Sequence, residues 1–296
     1  MKAKFKSGLM FRNVVESIKE LVSDAVLYCK PTGLELASMD AAHVAFVCFR
    51  IPASEFAEYT CRSEFAIGLS FSSMSKVLKI ASFTDVIQIS SNGTEDDNLA
   101  LSIFSDEKQT AASAEFSLRT MFIDNEVFSI PDLGFDAQTK MESKDLSGII
   151  SSMKDFGEIL TISITKDKTV FRGVGGIGEA NIIRLSALAL SKGQPMCTVT
   201  MKDASLSARV SARYALSIIG NFVKASPLSE FVTIYQTPDQ PLMIEYKIGE
   251  HGYIKFYLAP KIDEDEGEEG EGAKKEAEKN IDSKKTKKAR VEEEEE

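Results

Sequence analysis

Apolar residues recur at helical spacing in two distant stretches of the chain. The stretch Leu9–Val22 places five of them on one face: Phe11, Val14, Val15, Ile18 and Leu21. The stretch Leu146–Phe156 repeats this pattern 135 positions later with Leu146, Ile149, Ile150, Met153 and Phe156. Each stretch is followed by a pattern typical of strand, turn and strand. A repeat of this length predicts two similar domains produced by duplication.

Each half then continues with a second short helix and several strands. The helices are predicted over Ser72–Ala81 and Ala212–Lys224. Further strands are predicted over His43–Phe49, Asp85–Ser90, Leu99–Phe104, Glu115–Leu118, Ile182–Ala187, Phe231–Gln236, Leu242–Ile248 and Tyr253–Leu258. This pattern indicates an α+β fold with two similar domains of antiparallel sheets backed by helices. The predicted domains are 1–118 and 139–262, joined by a linker over 119–138 that lies across a surface.

The charge of the chain is concentrated at one end. The chain has 296 residues and a net charge of −10. Residues 263–296 contain 15 acidic and 8 basic residues, a net of −7, which leaves −3 for the rest. We predict that this tail is disordered, because it has few apolar residues. Within it, the basic run Lys284–Arg290 is typical of a nuclear-import signal and equally of a solvated charge run.

Basic residues recur on the predicted helices although the chain is acidic. They are Arg12, Lys19, Lys76, Lys79 and Lys154, with Arg209, Arg213 and Lys224 beside or within the fourth helix. If all four helices face one way, they present a basic surface that contacts phosphates without reading bases. The alternative is a set of ordinary solvated helix faces, which Glu16 and Glu20 support.

The sequence offers little that is typical of catalysis, and we predict a protein that is not an enzyme. There are two histidines, and the four cysteines lack zinc spacing, so we expect reduced thiols, no metal and no cofactor. No apolar run reaches about 18 residues, so no membrane span is predicted. The segment Gly173–Gly178 fits a dinucleotide-binding pattern, which keeps open a nucleotide-dependent enzyme. The other interpretation is a flexible loop between strands.

Three segments resemble one known family. They are Leu34–Val44 (LELASMDAAHV), Ser73–Lys79 (SMSKVLK) and the end of the body, where Glu245–Ile248 (EYKI) is followed by Gly252–Ile262 (GYIKFYLAPKI). They are similar to the proliferating cell nuclear antigen family of DNA sliding clamps, in the family's order and near its spacing, over about residues 3–262. The resemblance implies a ring-forming clamp fold and a nuclear homotrimer that encircles duplex DNA. Such a clamp confers processivity on DNA polymerase and docks replication and repair proteins. The alternative is one subunit of a heterotrimeric checkpoint-type clamp.

The resemblance also implies roles for individual residues. The DNA-facing positions are Arg12, Lys19, Lys76, Lys79, Arg213 and Lys224. A pocket for partner peptides is lined by Met39, His43, Val44, Phe46, Phe128, Ile130, Pro241, Tyr257, Leu258, Ala259 and Pro260. The contact between subunits pairs a strand near Ser113–Leu118 with a strand near Asn181–Ala187 of the neighbouring subunit. The predicted contact residues are Ser113, Phe116, Leu118, Ile183 and Leu185. Of these, Ile183 and Leu185 are able to face a core.

Two further consequences of the resemblance concern single positions. Lys166 stands where the family carries a lysine that accepts ubiquitin or a ubiquitin-like protein. In the third helix, Gly148 and Ser151 stand where the family tends to have basic residues, so the second domain is expected to contribute less positive charge. Because no ATPase motif is present, we expect a separate clamp loader ATPase as a partner.

Overall fold

The computed structural model describes residues 1–82, 84–93, 97–105, 112–124, 134–187, 196–203 and 209–261. The predicted pocket residues Phe128 and Ile130, the predicted disordered tail and its basic run lie outside these ranges. Residues 1–260 form one compact unit, and 261–296 form a second, of which Lys261 is described. Within the described ranges, none of the helices is long and apolar enough to cross a membrane.

Both halves consist of short strands with two helices each. The first half contains α1 (Gly8–Ile18), α2 (Phe71–Leu78), β1 (Lys2–Phe5), β2 (Asp24–Lys30), β3 (Gly33–Met39), β4 (Ala45–Pro52), β5 (Phe56–Thr60), β6 (Phe65–Ser70), β7 (Val86–Ser90), β8 (Asn98–Phe104) and β9 (Ala114–Arg119). The second half contains α3 (Ser143–Met153), α4 (Leu216–Phe222), β10 (Ala137–Glu142), β11 (Ile159–Thr165), β12 (Lys168–Gly175), β13 (Gly178–Ser186), β14 (Met196–Met201), β15 (Arg209–Ala215), β16 (Phe231–Gln236), β17 (Leu242–Ile248) and β18 (Gly252–Leu258). Among the described residues, 3-10 turns cover 53–55, 154–156 and 223–228.

The structure confirms the predicted internal repeat. Helices α1 and α3 each have 11 residues, and both ends are offset by 135 positions. Their buried apolar residues also correspond: Phe11, Val14, Val15 and Ile18 in α1, and Leu146, Ile149, Ile150 and Met153 in α3. Strands β2 and β11 keep the same offset. The helical spacing in the sequence therefore identifies the face that packs into the core.

Two sheets organise the strands that the structure describes. One has the order β5-β1-β7-β8-β9 and belongs to the first half. The other has 13 strands in the order β15-β11-β12-β13-β14-β10-β16-β17-β18-β4-β3-β2-β6. The halves meet where β18 pairs antiparallel with β4, from Tyr253 opposite Arg50 to Leu258 opposite Ala45. The α+β class is confirmed, and the two halves share one continuous sheet.

A buried carboxylate ties the two halves together at the turn between β17 and β18. Glu55, from the first half, accepts hydrogen bonds from the backbone N–H groups of Glu250 at 3.0 Å and His251 at 3.1 Å. Gly249 precedes them with φ +61°, and a Cβ there would overlap the Glu55 carboxylate. A charged acceptor with two backbone donors makes this a strong contact between distant parts of the sequence.

The predicted fourth helix is wrong over its first residues. Residues 212–215 belong to strand β15, which pairs with β11, and α4 begins at Leu216. The alternation is visible in the structure, because Val210 and Tyr214 are buried and Ser211 is exposed. The helical spacing of the apolar residues begins only after this strand, whose side chains alternate with a period of two.

The glycine-rich segment is a β-hairpin and does not form a dinucleotide-binding loop. Gly175 pairs with Gly178 across a two-residue turn, so β12 continues directly into β13 and no helix follows. A dinucleotide site needs a helix N-terminus at this point. A Cβ on Gly175 would lie 2.8 Å from the backbone carbon of Phe156, so glycine allows the 154–157 segment to pack against the hairpin. The expected flexible loop is thus a short turn.

Candidate functional site

The four helices pack side by side. Helix α1 contacts both α2 and α4, α3 contacts α4, and the 3-10 turn 223–228 contacts both α1 and α3. The apolar faces of all four enter one core shared with the sheets. We call residues 8–20, 71–80, 143–156 and 216–228 the helix layer.

The helix layer has an excess of positive charge. It contains seven basic residues and four acidic residues, a net of +3, whereas the chain carries −10. The basic residues are Arg12, Lys19, Lys76, Lys79, Lys144, Lys154 and Lys224. Five of the six residues predicted to face DNA belong to this layer, which is the arrangement that a phosphate-contacting surface needs.

Lys19 is held in place by a network between α1 and α2. Its Nζ lies 2.7 Å from a carboxylate oxygen of Glu16 and donates to Ser75 Oγ at 3.1 Å. Ser75 in turn donates to Glu16 at 2.5 Å. Burial raises the pKa of Glu16, but the hydrogen bonds from Lys19 and Ser75 and the charges of Lys19 and Lys79 outweigh it and lower the pKa overall. Glu16 is thus kept ionised, and Lys19 has a fixed orientation.

The other predicted DNA-facing residues differ in their surroundings. Arg12 donates to the backbone oxygen of Ala81 at 3.1 Å, whereas Lys76 and Lys79 are exposed at the end of α2. Lys224 lies 3.5 Å from Glu20. Arg213 lies on strand β15 rather than on a helix, opposite Thr161 of β11. Since its neighbour Tyr214 points into the core, alternation directs Arg213 to the sheet face away from the helix layer.

Helix α3 leaves open space where the family tends to place basic residues. Gly148 is exposed, and a Cβ built there would meet no atom within 4 Å. Ser151 is also exposed on the same helix. A long side chain therefore fits at Gly148 without displacing its surroundings.

On the opposite face of the large sheet, apolar side chains form a single row across the strands. The register places Met39 opposite Phe46, Phe46 opposite Tyr257, and Tyr257 opposite Met243. The rings of Phe46 and Tyr257 have centroids 5.6 Å apart. We call these four residues the apolar row. Such cross-strand neighbours contact one another directly, so four separate segments of the chain build one cluster, in which Phe46, Tyr257 and Met243 are buried and Met39 is half-buried.

The apolar row brings together part of the predicted partner pocket. Met39, Phe46 and Tyr257 belong to a small cluster that is separate from the main core. Leu258 does not, because alternation places it in the main core, and its assignment to the pocket wall is corrected. Six members of the cluster are not among the predicted pocket residues: Ala37, Cys48, Phe135, Tyr235, Met243 and Tyr253. The alternation of each strand gives the correct face, but only the register shows which residues are neighbours.

The remaining predicted pocket residues lie at one end of the row. The backbone N–H of Ala259 donates to the oxygen of Val44 at 3.0 Å. Asp40 accepts from the N–H groups of Val44 and Ala45, which fixes the turn in which His43 has φ +56°. His43, Val44 and Ala259 are exposed, and Pro241 and Pro260 are half-buried.

Burial affects two titratable groups in this cluster. It raises the pKa of Cys48 to about 12, which keeps the thiol protonated and inert. It also raises the pKa of Tyr257, with added repulsion from Cys48 and Glu245. Cys48 and Tyr257 are therefore uncharged near neutral pH, which suits an apolar ligand. All four cysteines are free, and Cys29, Cys48 and Cys197 are buried.

Strands β9 and β13 are two of the strands that present a free backbone edge, and β5, β6 and β15 also end a sheet. In the described part of the chain, β9 pairs with β8 alone, and β13 has β14 as a second neighbour only at Leu185 and Ser186. Residues 178–184 of β13 therefore have one unpaired side within the described structure. Arg184 fixes this strand to α3 through two bonds to Asp145, at 2.5 and 2.6 Å. Unpaired edges of this kind favour pairing with another strand.

The predicted contact residues are located on these two edges. Phe116 and Leu118 pack against the core from β9, and Ser113 is exposed beside them. On β13 the core-facing residue is Ile182, not Ile183. Ile183 is 46% exposed and Leu185 is half-buried. Ile80 is not among the predicted contact residues, but it is 65% exposed just after α2, the helix that contacts β9.

The remaining candidate chemistry is sparse. Lys166 is half-buried in the turn between β11 and β12. Across the described ranges, there is no group of three or more His, Cys, Asp or Glu side chains that would hold a metal ion.

Two family profiles match consecutive parts of the chain, and together they cover the compact unit except for residue 128. The proliferating cell nuclear antigen N-terminal domain matches residues 1–127, and the proliferating cell nuclear antigen C-terminal domain matches residues 129–261. Members of this family are DNA sliding clamps of replication and repair, and they act without catalysing a reaction. With the duplicated α+β halves, the basic helix layer and the apolar row on the opposite face, the chain belongs to the proliferating cell nuclear antigen family of DNA sliding clamps.

Proposed function

We propose that three copies of this chain close into a ring that encircles duplex DNA, confers processivity on DNA polymerase and docks replication and repair proteins. The observation that carries the proposal is the helix layer, in which helices from both halves form one surface with a net charge of +3 on an acidic chain. In a ring built from such units, this layer lines the hole. Its lysines and arginine meet phosphates of any sequence, so the ring slides.

The two free edges support closure by identical copies. Pairing of β9 from one copy with β13 from the next is a head-to-tail contact, and such contacts close into rings with cyclic symmetry. Because one chain carries both edges, no second type of subunit is needed. Ile183 on β13 and Ile80, which follows the helix beside β9, are exposed apolar residues. Their burial in this contact stabilises the association of the copies.

The apolar row supports the docking of partner peptides. It is neutral, it is built from aromatic and sulfur-containing side chains, and exposed residues lie at one end of it. Such a surface suits a peptide with aromatic anchors. We propose that DNA polymerase and the clamp loader ATPase bind here. We also propose that the protein acts in the nucleus and that Lys166 is a modification site.

Retention on DNA with closed ends tests the central claim. The chain is threaded onto long linear duplex at high protein concentration, and both ends are then blocked with streptavidin. At about 1 M salt, where the Debye length falls to about 3 Å, phosphate contacts no longer hold a protein. We expect retention under these conditions and release when the DNA is cut. Loss in the salt wash, or retention that survives cutting, contradicts encirclement.

The particle mass separates the proposed homotrimer from a checkpoint-type heterotrimer. Three copies of 32.5 kDa give 97.5 kDa by light scattering, whereas a subunit that needs different partners remains at 32.5 kDa.

A further inference from the structure

Glu20 occupies an unusual place in the helix layer. It follows Lys19, the C-cap residue of α1, and is one of the four acidic residues in a layer that contains seven basic residues. The C-terminal end of a helix carries partial negative charge, so a glutamate there lowers helix stability slightly where a lysine would raise it. Its presence is not explained by the stability of α1.

The contacts of Glu20 explain it better. One carboxylate oxygen, Oε1, lies 3.5 Å from Nζ of Lys224 and 3.9 Å from Nζ of Lys19. The first lysine belongs to the second half of the chain and the second to the first half, so Glu20 bridges the basic residues of both halves. Both lysines are among the predicted DNA-facing positions.

The two lysines respond differently to loss of this carboxylate. Lys19 keeps its orientation through Glu16 and Ser75. For Lys224, Glu20 is the carboxylate within ion-pair distance among the residues that the structure describes. Both partners of that pair are well exposed, so the pair is weak and a phosphate oxygen is able to replace the carboxylate.

From this geometry we infer that Glu20 is an internal competitor for DNA phosphate, a positioning residue that weakens the grip of the helix layer on the duplex. The inference rests on the proposed function and deepens it. A clamp that is linked topologically needs no tight binding, and each phosphate contact must break when the ring moves. A carboxylate that binds the lysines again after each step shortens the lifetime of each lysine–phosphate contact.

The test is the salt dependence of duplex binding by the full-length chain, measured by fluorescence anisotropy of a short labelled duplex. We expect Glu20→Gln to bind about 3- to 30-fold more tightly at low salt, as the ring carries three copies of the change. The plot of log K against log salt should steepen by about 0.9 for each additional phosphate that the variant neutralises. A purely structural role for Glu20 predicts weaker binding in the variant.

Two further variants separate local competition from net charge. Glu58→Gln removes the same charge and breaks a lysine pair of similar geometry, Lys2 to Glu58 at 3.1 Å, on strand β5 outside the helix layer. Glu20→Asp keeps the charge but shortens its reach. We expect Glu58→Gln to bind like the wild type and Glu20→Asp to fall between the wild type and Glu20→Gln.

The outcomes distinguish this inference from the proposed function. If the wild type is retained on end-blocked DNA but Glu20→Gln matches Glu58→Gln in affinity and salt slope, the role of Glu20 is wrong and the clamp stands. If the wild type is not retained, encirclement fails, and the inference fails with it. Circular dichroism and particle mass show that each variant is folded and assembled.

Discussion

A charge placed on the free edge of β13 should open the ring. Ile183 is 46% exposed in the single chain, and the proposed contact with β9 buries it. Complete burial of an isoleucine side chain contributes about 1.5–3 kcal/mol, so the exposed part contributes about 0.7–1.4 kcal/mol to each contact. Ile183→Asp removes this contribution and brings a carboxylate without a partner into the interface, at a further cost of about 1–3 kcal/mol.

Together these effects weaken each contact by about 2–4 kcal/mol, which is about 30- to 1,000-fold in its dissociation constant. The assay is light scattering behind a sizing column over a range of protein concentrations. We expect 97.5 kDa for the wild type, as three copies of 32.5 kDa, and a mass near 32.5 kDa for Ile183→Asp at micromolar concentration. Circular dichroism should be unchanged, because the altered side chain faces away from the core.

The matched control is Ile177→Asp in the turn of the same hairpin. Ile177 is 69% exposed and lies in the turn beyond the paired residues, where the proposed contact does not reach. It introduces the same residue and the same charge six positions earlier. We expect it to remain a trimer. If Ile183→Asp dissociates no more readily than Ile177→Asp, the assignment of β13 as the interface strand is refuted.

Three further substitutions test other parts of the structure. Gly148→Arg should raise duplex affinity, because the site has open space for a basic side chain, and it should stabilise α3 by about 0.7–1 kcal/mol, because glycine disfavours helix. The control is Gly176→Arg in the β12–β13 turn, where the space is equally open, and it should leave duplex affinity unchanged. Phe46→Ala should weaken binding of a fluorescent peptide with aromatic anchors by at least about tenfold, whereas Phe231→Ala on the same sheet face should not weaken it. Equal losses of affinity in the two variants would contradict the assignment of Phe46 to the peptide-binding pocket. Glu55→Ala should lower the free energy of unfolding by about 2–3 kcal/mol, because two N–H groups of the β17–β18 turn lose a charged acceptor. An unchanged midpoint of urea unfolding would show that Glu55 does not stabilise this turn.

The local pattern of the sequence predicts the elements that have strong periodicity. Helices α1 and α3 were predicted with the correct buried faces, since an apolar face of about three turns has few alternative explanations. Strands β16 and β17 were predicted with the correct bounds. Strand β15 was missed because its alternation runs directly into the apolar residues of α4, and two periods overlap there.

The candidate site was predicted less completely, because its properties depend on contacts between distant segments. The sequence shows Lys19 and Lys224 as two cations, and only the packing of α1 against the 223–228 turn shows that Glu20 lies between them. Similarly, Cys48 and Met243 have no feature in the sequence that marks them as members of the cluster around Phe46 and Tyr257. Their place follows from the register that aligns β4, β18 and β17.

The large sheet separates the helix layer from the apolar row and also fixes their relative positions. Its inner face packs into the core beneath the helix layer, and its outer face carries the apolar row, so neighbouring residues serve opposite surfaces. Tyr257 lies in the apolar row and Leu258 in the core, although they are adjacent in β18. Because a shift of one residue would exchange the faces of a whole strand, the Glu55 contact at the far end of β18 helps to hold the register. A stable register thus positions the apolar row and the core beneath the helix layer at the same time.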